Sequence, residues 1–199
     1  MLPSDESLLS QFKQGDASAF RALVDRYTAP LYNLAVRLLR DPMEAENITQ
    51  ETFLRVVGAL DRVQLDVPFK PYLFRIAVNL CHDQARKHKP LLFADLERNP
   101  NDELANAEDA IADDAPQVWE QIEEKELHAR LRDAVDNLPP NYQAAIILRY
   151  VEDFSYDDIA QTLDLPVNTV RTRLRRAKLQ LRARLDKDTR PPKHVTQIQ

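Results

Sequence analysis

The sequence predicts an all-α protein made of two small helical domains joined by a flexible acidic linker. Three observations carry that prediction. Among 199 residues Leu occurs 27 times and Ala 22 times, both strong helix formers, while Gly occurs only 2 times. Apolar residues recur at helical spacing in segments of both halves. Charge is uneven: residues 1–89 hold 12 basic and 11 acidic groups, residues 90–124 hold 1 and 11, and residues 125–199 hold 14 and 10. The acidic block contains Pro90, Pro100 and Pro116, and its middle is short of large apolar residues. It therefore reads as the linker, over 90–124, between domains at 1–89 and 125–199. It could serve as a solvated spacer, or as an acidic segment that mimics nucleic acid or lies along a basic channel.

Composition also excludes functions. Gly15 and Gly58 alone cannot build a Gly-rich phosphate loop, which removes the P-loop and dinucleotide fingerprints. The single Cys81 rules out an intrachain disulfide and a multi-Cys zinc site. Cys81 and His82 project about 100° apart on a helix with no third ligand close in sequence, so no metal and no cofactor is expected. His82, His88, His128 and His194 form no catalytic arrangement, and neither an enzyme nor a small-molecule substrate is expected. No apolar run reaches the ~18 residues of a membrane span, and residues 1–20 lack a signal peptide's basic start and apolar core. A cytoplasmic protein is expected.

In the first half, a short helix is expected over Ser4–Gln14. A longer one follows an Asp16 N-cap to Leu39, and could kink at Pro30. A third, over Asp41–Leu60, opens with Asp41 and Pro42, good N-cap and N1 residues. Projected at 100° per residue, it places Phe53, Val56, Val57 and Leu60 toward the core. Glu44, Asn47, Glu51 and Leu54 fall opposite, an acidic face with one leucine in it. By spacing alone that face is either ordinary solvated surface or an interface.

A fourth helix is expected from about Phe69 to Lys87. Phe69, Leu73, Ile76, Ala77 and Leu80 form its buried stripe, with Tyr72 and Phe74 at the flanks. Arg75, Asn79, His82 and Arg86 line the opposite face at i, i+4, i+7 and i+11. Residues 70–89 hold five basic groups and one acid, Asp83. Basic groups interleaved with aromatics, beside an Asn able to read base edges, suit unstacked single-stranded bases. Core packing of the same aromatics is the competing reading.

The second half carries the most specific pattern. PPNYQAAIILRYVEDF reads as a helix opening at a Pro pair. SYDDIAQTL follows, with Ser155 as N-cap and Asp158 three residues on, a variant capping box. After a short turn at Asp164 and Leu165, Pro166 opens a helix of about five turns. A short helix, a tight turn and a longer basic helix make a helix-turn-helix. In the long helix Val170, Leu174, Ala177, Leu181 and Leu185 form the buried stripe. Asn168, Thr172, Arg175 and Arg176 point away from it, with Arg171 and Lys178 on the flank. Seven basic residues and no acid lie between Pro166 and Arg184. A major groove accepts one such helix, where Arg can pair bidentately with guanine. Arg149, Arg173, Arg182 and Arg184 suit phosphate contacts instead. Leu179 also faces outward, where a protein partner is its alternative role.

Together these segments resemble the extracytoplasmic-function sigma factors, small bacterial transcription initiation subunits of the sigma-70 superfamily. AENITQETFLRVVGAL is similar to that family's helix for the clamp of core RNA polymerase. FKPYLFRIAVNLCHDQARK is similar to the segment that melts and reads the −10 promoter element. LPPNYQAAIILRYVEDFSYDDIAQTLDLPVNTVRTRLRRAKLQLRARL is similar to the −35-binding domain. The resemblance covers nearly the whole chain. It implies polymerase binding by Asp41, Glu44, Asn47, Gln50, Glu51 and Leu54. It implies readout of melted −10 DNA by Phe69, Tyr72, Arg75, Asn79, His82 and Arg86. It implies readout of duplex −35 DNA by Arg149, Asn168, Thr169, Arg171, Thr172, Arg173, Arg175 and Arg176. An anti-sigma factor is implied as a further partner. Tyr72 stands where the family often has Trp, and Asp164 and Asn168 where it often has Gly. Asp tolerates the left-handed turn, whereas Asn168 bears on the −35 base preference.

The alternative is a stand-alone helix-turn-helix regulator that binds duplex operators. A net charge of −5 argues against nucleic acid only when taken whole. The acid sits mainly in the linker, and the two DNA-facing segments are locally basic.

Overall fold

The computed structural model describes residues 3–59, 68–88 and 121–188, with side chains at 88, 121–126 and 186–188 set aside. Among the described residues there are eight α-helices and no strand. The expectations on Leu60 and on residues 90–120 of the linker lie outside them.

Helix α1 spans Asp5–Lys13. Ser4 caps it, its Oγ accepting from the Ser7 N–H at 3.2 Å. Asp5 then staples α1 to the next helix by accepting from both Arg26 and the Tyr27 hydroxyl. Burial, and then the Asp5 carboxylate, push the Tyr27 phenol well above its ordinary range. Gly15, at φ +100, makes the reversal into α2.

Helix α2, Ala17–Leu39, runs as one helix through Pro30. Asp16 is its N-cap, accepting from the Ser18 N–H at 2.9 Å. Arg40 ends it in the left-handed region at φ 58. Asp41 then caps α3, Pro42–Ala59, accepting from the Met43 and Glu44 N–H groups at 2.9 and 3.2 Å. Buried Thr49 and Thr52 return their hydroxyls to the Ala45 and Ile48 carbonyls at 2.8 and 2.7 Å, so α3 packs without an orphaned donor. Helix α4 is Phe69–His88. Leu23, Leu31 and Leu34 of α2, Phe53 and Val56 of α3, and Phe69, Leu73, Phe74 and Ala77 of α4 form the core between these helices.

One expectation fails here. Val57 is 43% exposed, not core. Phe53 and Val56 take the inner positions, and Val57 falls on the same side as Met43 and Leu54, both exposed.

The second domain holds α5 (Gln121–Asp136), α6 (Pro140–Tyr150), α7 (Tyr156–Leu163) and α8 (Val167–Asp188). Helix α5 starts inside the segment read as linker, so the last residues of 90–124 are helical. Its Ala134 and Val135, with Leu138, are buried, while Leu127 and Leu131 stay exposed. Arg130 Nη2 donates to the Leu185 carbonyl at 3.4 Å, tying α5 to α8. Helix α6 is buried from Tyr142 to Leu148.

The two domains also pack on each other, α4 against α7 and α2 against α6, so their apolar cores are continuous. Phe74 of α4 and Phe154, just before α7, meet edge to face at 5.2 Å between ring centres. Among the described residues no helix is long and apolar enough to cross a membrane.

Candidate nucleic-acid interface

The helix-turn-helix is set by local chemistry. Ser155 and Asp158 cap α7 reciprocally: Ser155 Oγ accepts from the Asp158 N–H at 3.1 Å, and Asp158 Oδ2 accepts from the Ser155 N–H at 3.1 Å. At the other end Asp164 adopts φ 55, ψ 51, and its N–H bonds the Ala160 carbonyl. Asp supports this left-handed turn where a β-branched residue would not. The Pro166 carbonyl receives the Thr169 and Val170 N–H groups at 2.9 and 3.2 Å, starting α8.

Val170, Leu174 and Ala177 anchor α8 in the core, and Leu181 and Leu185 are half-buried. That anchoring turns Asn168, Arg171 and Arg175 fully outward, with Thr169, Thr172, Arg173 and Arg176 half-buried beside them. Arg171 Nη1 donates to Asn168 Oδ1 at 3.3 Å, and Thr172 Oγ1 to the Asn168 carbonyl at 3.0 Å. The first turns of α8 therefore present a preformed donor-rich surface of the kind a major groove accepts. Leu179 is exposed, as its helical position requires.

Arg149 is placed differently. Its Nη1 donates to the Phe154 carbonyl at 2.8 Å, and its guanidinium lies 5.4 Å from the Tyr156 ring centre. Both contacts are internal, so Arg149 braces the loop between α6 and α7.

On α4, Tyr72, Arg75, Asn79, His82 and Arg86 share one side at steps of three or four residues. Arg75, Asn79 and Arg86 are exposed, and Tyr72 and His82 half-buried. Burial raises the Tyr72 phenol above its ordinary range. Arg86 pairs with Asp83 at 2.5 Å. Phe69 is the exception. It is 1% exposed and packs edge to face on Tyr27 at 5.9 Å, because the first turn of α4 plugs the core. It cannot stack on a base without leaving that core, so it is a core residue and not part of this surface.

Helix α3 carries the other candidate surface of the first domain. Asp41 serves as its cap, and Glu44 is half-buried, accepting from Gln84 Nε2 at 2.7 Å. Glu51 is half-buried and accepts from Arg55 Nε at 2.9 Å. Asn47, Gln50 and Leu54 are exposed. With Met43 and Val57 they form one stripe at steps of three or four residues, in which Met43 is 74% and Leu54 67% exposed. Met43 was missed in the sequence because it sits in the first turn beside the cap, and Val57 because it follows Val56 directly and Phe53 by one turn.

Comparison with known proteins follows the same division. Residues 23–90 match Sigma-70 region 2, and residues 128–181 match Sigma-70, region 4. The chain is 34% identical over 178 residues to the ECF RNA polymerase sigma factor SigW of Bacillus subtilis, covering 89% of this chain and 94% of that protein. It is 34% identical over 184 residues to the RNA polymerase sigma-H factor of Pseudomonas aeruginosa, covering 87% and 90%. In fold it is similar to CnrH, solved in complex with the cytosolic domain of CnrY, with a TM-score of 0.66 at 26% identity over 94% of this chain and all of that one. The sigma factor RpoE of Bartonella quintana, solved with the anti-sigma factor NepR, shares the fold at a TM-score of 0.59 and 24% identity, over 85% of this chain and 98% of that one. With both regions in order, a basic recognition helix in the second and relatives aligned along nearly their full length, this chain belongs to the ECF RNA polymerase sigma factors.

Proposed function

We propose a division of labour among three surfaces of this sigma factor. The α3 stripe of Met43, Asn47, Gln50, Leu54 and Val57, with the neighbouring Asp41, Glu44 and Glu51, docks on core RNA polymerase. Helix α8 reads duplex −35 DNA, with Asn168, Arg171, Thr172, Arg175 and Arg176 toward base edges and Thr169 and Arg173 toward the backbone. The α4 stripe of Tyr72, Arg75, Asn79, His82 and Arg86 captures an unstacked −10 base. Residues 1–89 and 125–199 are then the two working domains and 90–124 their acidic tether, which lies along basic channels of the polymerase.

The chain works by binding alone. Capture of a flipped base by stacking and hydrogen bonds offsets the few kcal/mol lost on unstacking it. An anti-sigma factor is the natural inhibitor; the complex of Bartonella RpoE with NepR supports that class of partner. The chain acts in the cytoplasm, where polymerase and promoter are.

The observation that carries this reading is the apolar stripe of α3. Met43, Leu54 and Val57 stand exposed on the domain without the helix-turn-helix. Single exposed apolar residues are ordinary, but an aligned set marks an interaction site. A regulator that only binds duplex operators has no use for it.

The test is promoter melting by an Asn79→Ala variant with core polymerase. Permanganate reactivity of −10 thymines should fall while core binding is retained. Unchanged reactivity would remove Asn79 and the α4 stripe from −10 capture.

A further inference from the structure

Arg171, fully outward on α8, is held by a neutral group. Asn168 and Arg171 stand three residues apart, so they lie about 60° from each other around the helix and about 4.5 Å along it, where side chains meet. Arg171 Nη1 donates to Asn168 Oδ1 at 3.3 Å. Thr172, one turn on from Asn168, donates its hydroxyl to the Asn168 carbonyl at 3.0 Å and so does not compete for the amide oxygen. Exposed arginines elsewhere are held by acids: Arg55 by Glu51 and Arg86 by Asp83. Among the described residues Arg171 meets no carboxylate. The Asn168 amide orients it without neutralising it.

This bond changes what each partner offers a base pair. A guanidinium carries five N–H donors, and the amide oxygen takes one of them. An edge with two parallel donors remains for guanine O6 and N7. A fork already oriented loses less freedom on binding. Asn168 changes as well. An unconstrained Asn reads adenine bidentately, donating to N7 and accepting from N6. With its oxygen turned to Arg171, Asn168 offers its two Nδ2 donors instead. The base edges that suit it are then rich in acceptors: guanine with N7 and O6, or thymine with O4.

We propose that Asn168 and Arg171 read the −35 duplex as one unit. Asn168 is the positioning residue that aims the Arg171 fork, and Arg171 in return fixes Asn168 as a donor and withholds it from adenine. This rests on the placement of α8 at the −35 element proposed above. Both side chains are exposed and outside the core, so either can be altered without disturbing the packing of α8. The unit makes preference at one base pair depend on the residue that faces its neighbour.

The test is run-off transcription by core polymerase and the full chain on a promoter library randomised across the −35 element, read as base preference at each position. Asn168→Ala should lower transcript from the best wild-type promoter about tenfold. It should also relax the guanine preference set by Arg171, although Arg171 is intact. Arg171→Ala should cost about as much, and should turn the pair read by Asn168 toward adenine, because the amide oxygen is released. Both variants therefore alter the same two positions, and the double variant should stay near tenfold, as coupled residues do. Asn168→Asp keeps an oxygen acceptor for Arg171 and should restore the guanine preference that Asn168→Ala relaxes. Circular dichroism checks that each variant is folded. Single variants that each alter one separate position, with losses that multiply to about a hundredfold in the double variant, would overturn the proposal and leave α8 as the −35 reader. A wild-type chain that directs transcription with no base preference across the −35 element would overturn the placement of α8, and the proposal with it.

Discussion

Gln84 Nε2 donates to Glu44 Oε2 at 2.7 Å, joining the helix that carries the apolar stripe to the helix that carries the proposed −10 surface. The bond sits at the start of α3 and near the end of α4, beside the buried cluster of Ala45, Ile48, Leu80 and Cys81 from the same two helices. It adds a polar tie to the packing that sets the angle between the two helices. Gln84→Ala should cost about 0.5–1.5 kcal/mol, seen as a lower urea midpoint at unchanged m-value. No change in midpoint would show that packing alone sets that angle.

Leu54 separates stability from polymerase binding. At 67% exposure it contributes little to the core, so Leu54→Asp should leave unfolding free energy within about 0.5 kcal/mol of wild type. Core polymerase affinity should fall about tenfold or more, as expected for truncating an apolar anchor and adding a charge. Fluorescence anisotropy with purified core reads the second effect and urea melts the first. Retained affinity would move the docking surface off α3.

Arg175 is fully outward on α8, whereas Arg176 is half-buried. Arg175→Ala should weaken −35 duplex binding by about 1–3 kcal/mol and relax preference at one base pair. Measuring a panel of single-base variants at several salt concentrations distinguishes the two kinds of contact. A uniform loss on every sequence, with a shallower salt slope, would make Arg175 a phosphate contact.

Cys81 is buried in α4, and burial pushes its thiol up to about 12. Keeping the thiol neutral contributes stability in full below its ordinary value of 9.0, lost as pH climbs through about 12. At pH 8 the native protein should therefore resist a thiol reagent, while the urea-unfolded chain reacts at once. Rapid labelling of native protein would show that α4 opens locally.

What was legible in the sequence was what local chemistry decides. Ser4, Asp16, Asp41 and Ser155 stand at helix starts because their side chains reach N–H groups two or three residues on. Such bonds involve no distant partner. The buried stripe of α8 followed from periodicity for the same reason. Positions decided by distant packing were not legible. Val57 adjoins core residues in sequence but faces solvent, and Phe69 fits both a buried stripe and a base-stacking surface until Tyr27 closes over it. Helix α5 has its apolar residues crowded toward its C-terminal end, beneath an acidic run that reads as linker. The pairing of Lys70 with Glu152 joins residues 82 apart in sequence, and no spacing rule reaches that far.

The most direct measurement of the central claim is run-off transcription by purified bacterial core polymerase on a promoter library, with and without this protein. Promoter-specific transcripts that require the added chain, and that disappear with Leu54→Asp, are the predicted result. Duplex binding by the chain alone, with no transcript from any promoter, would contradict it.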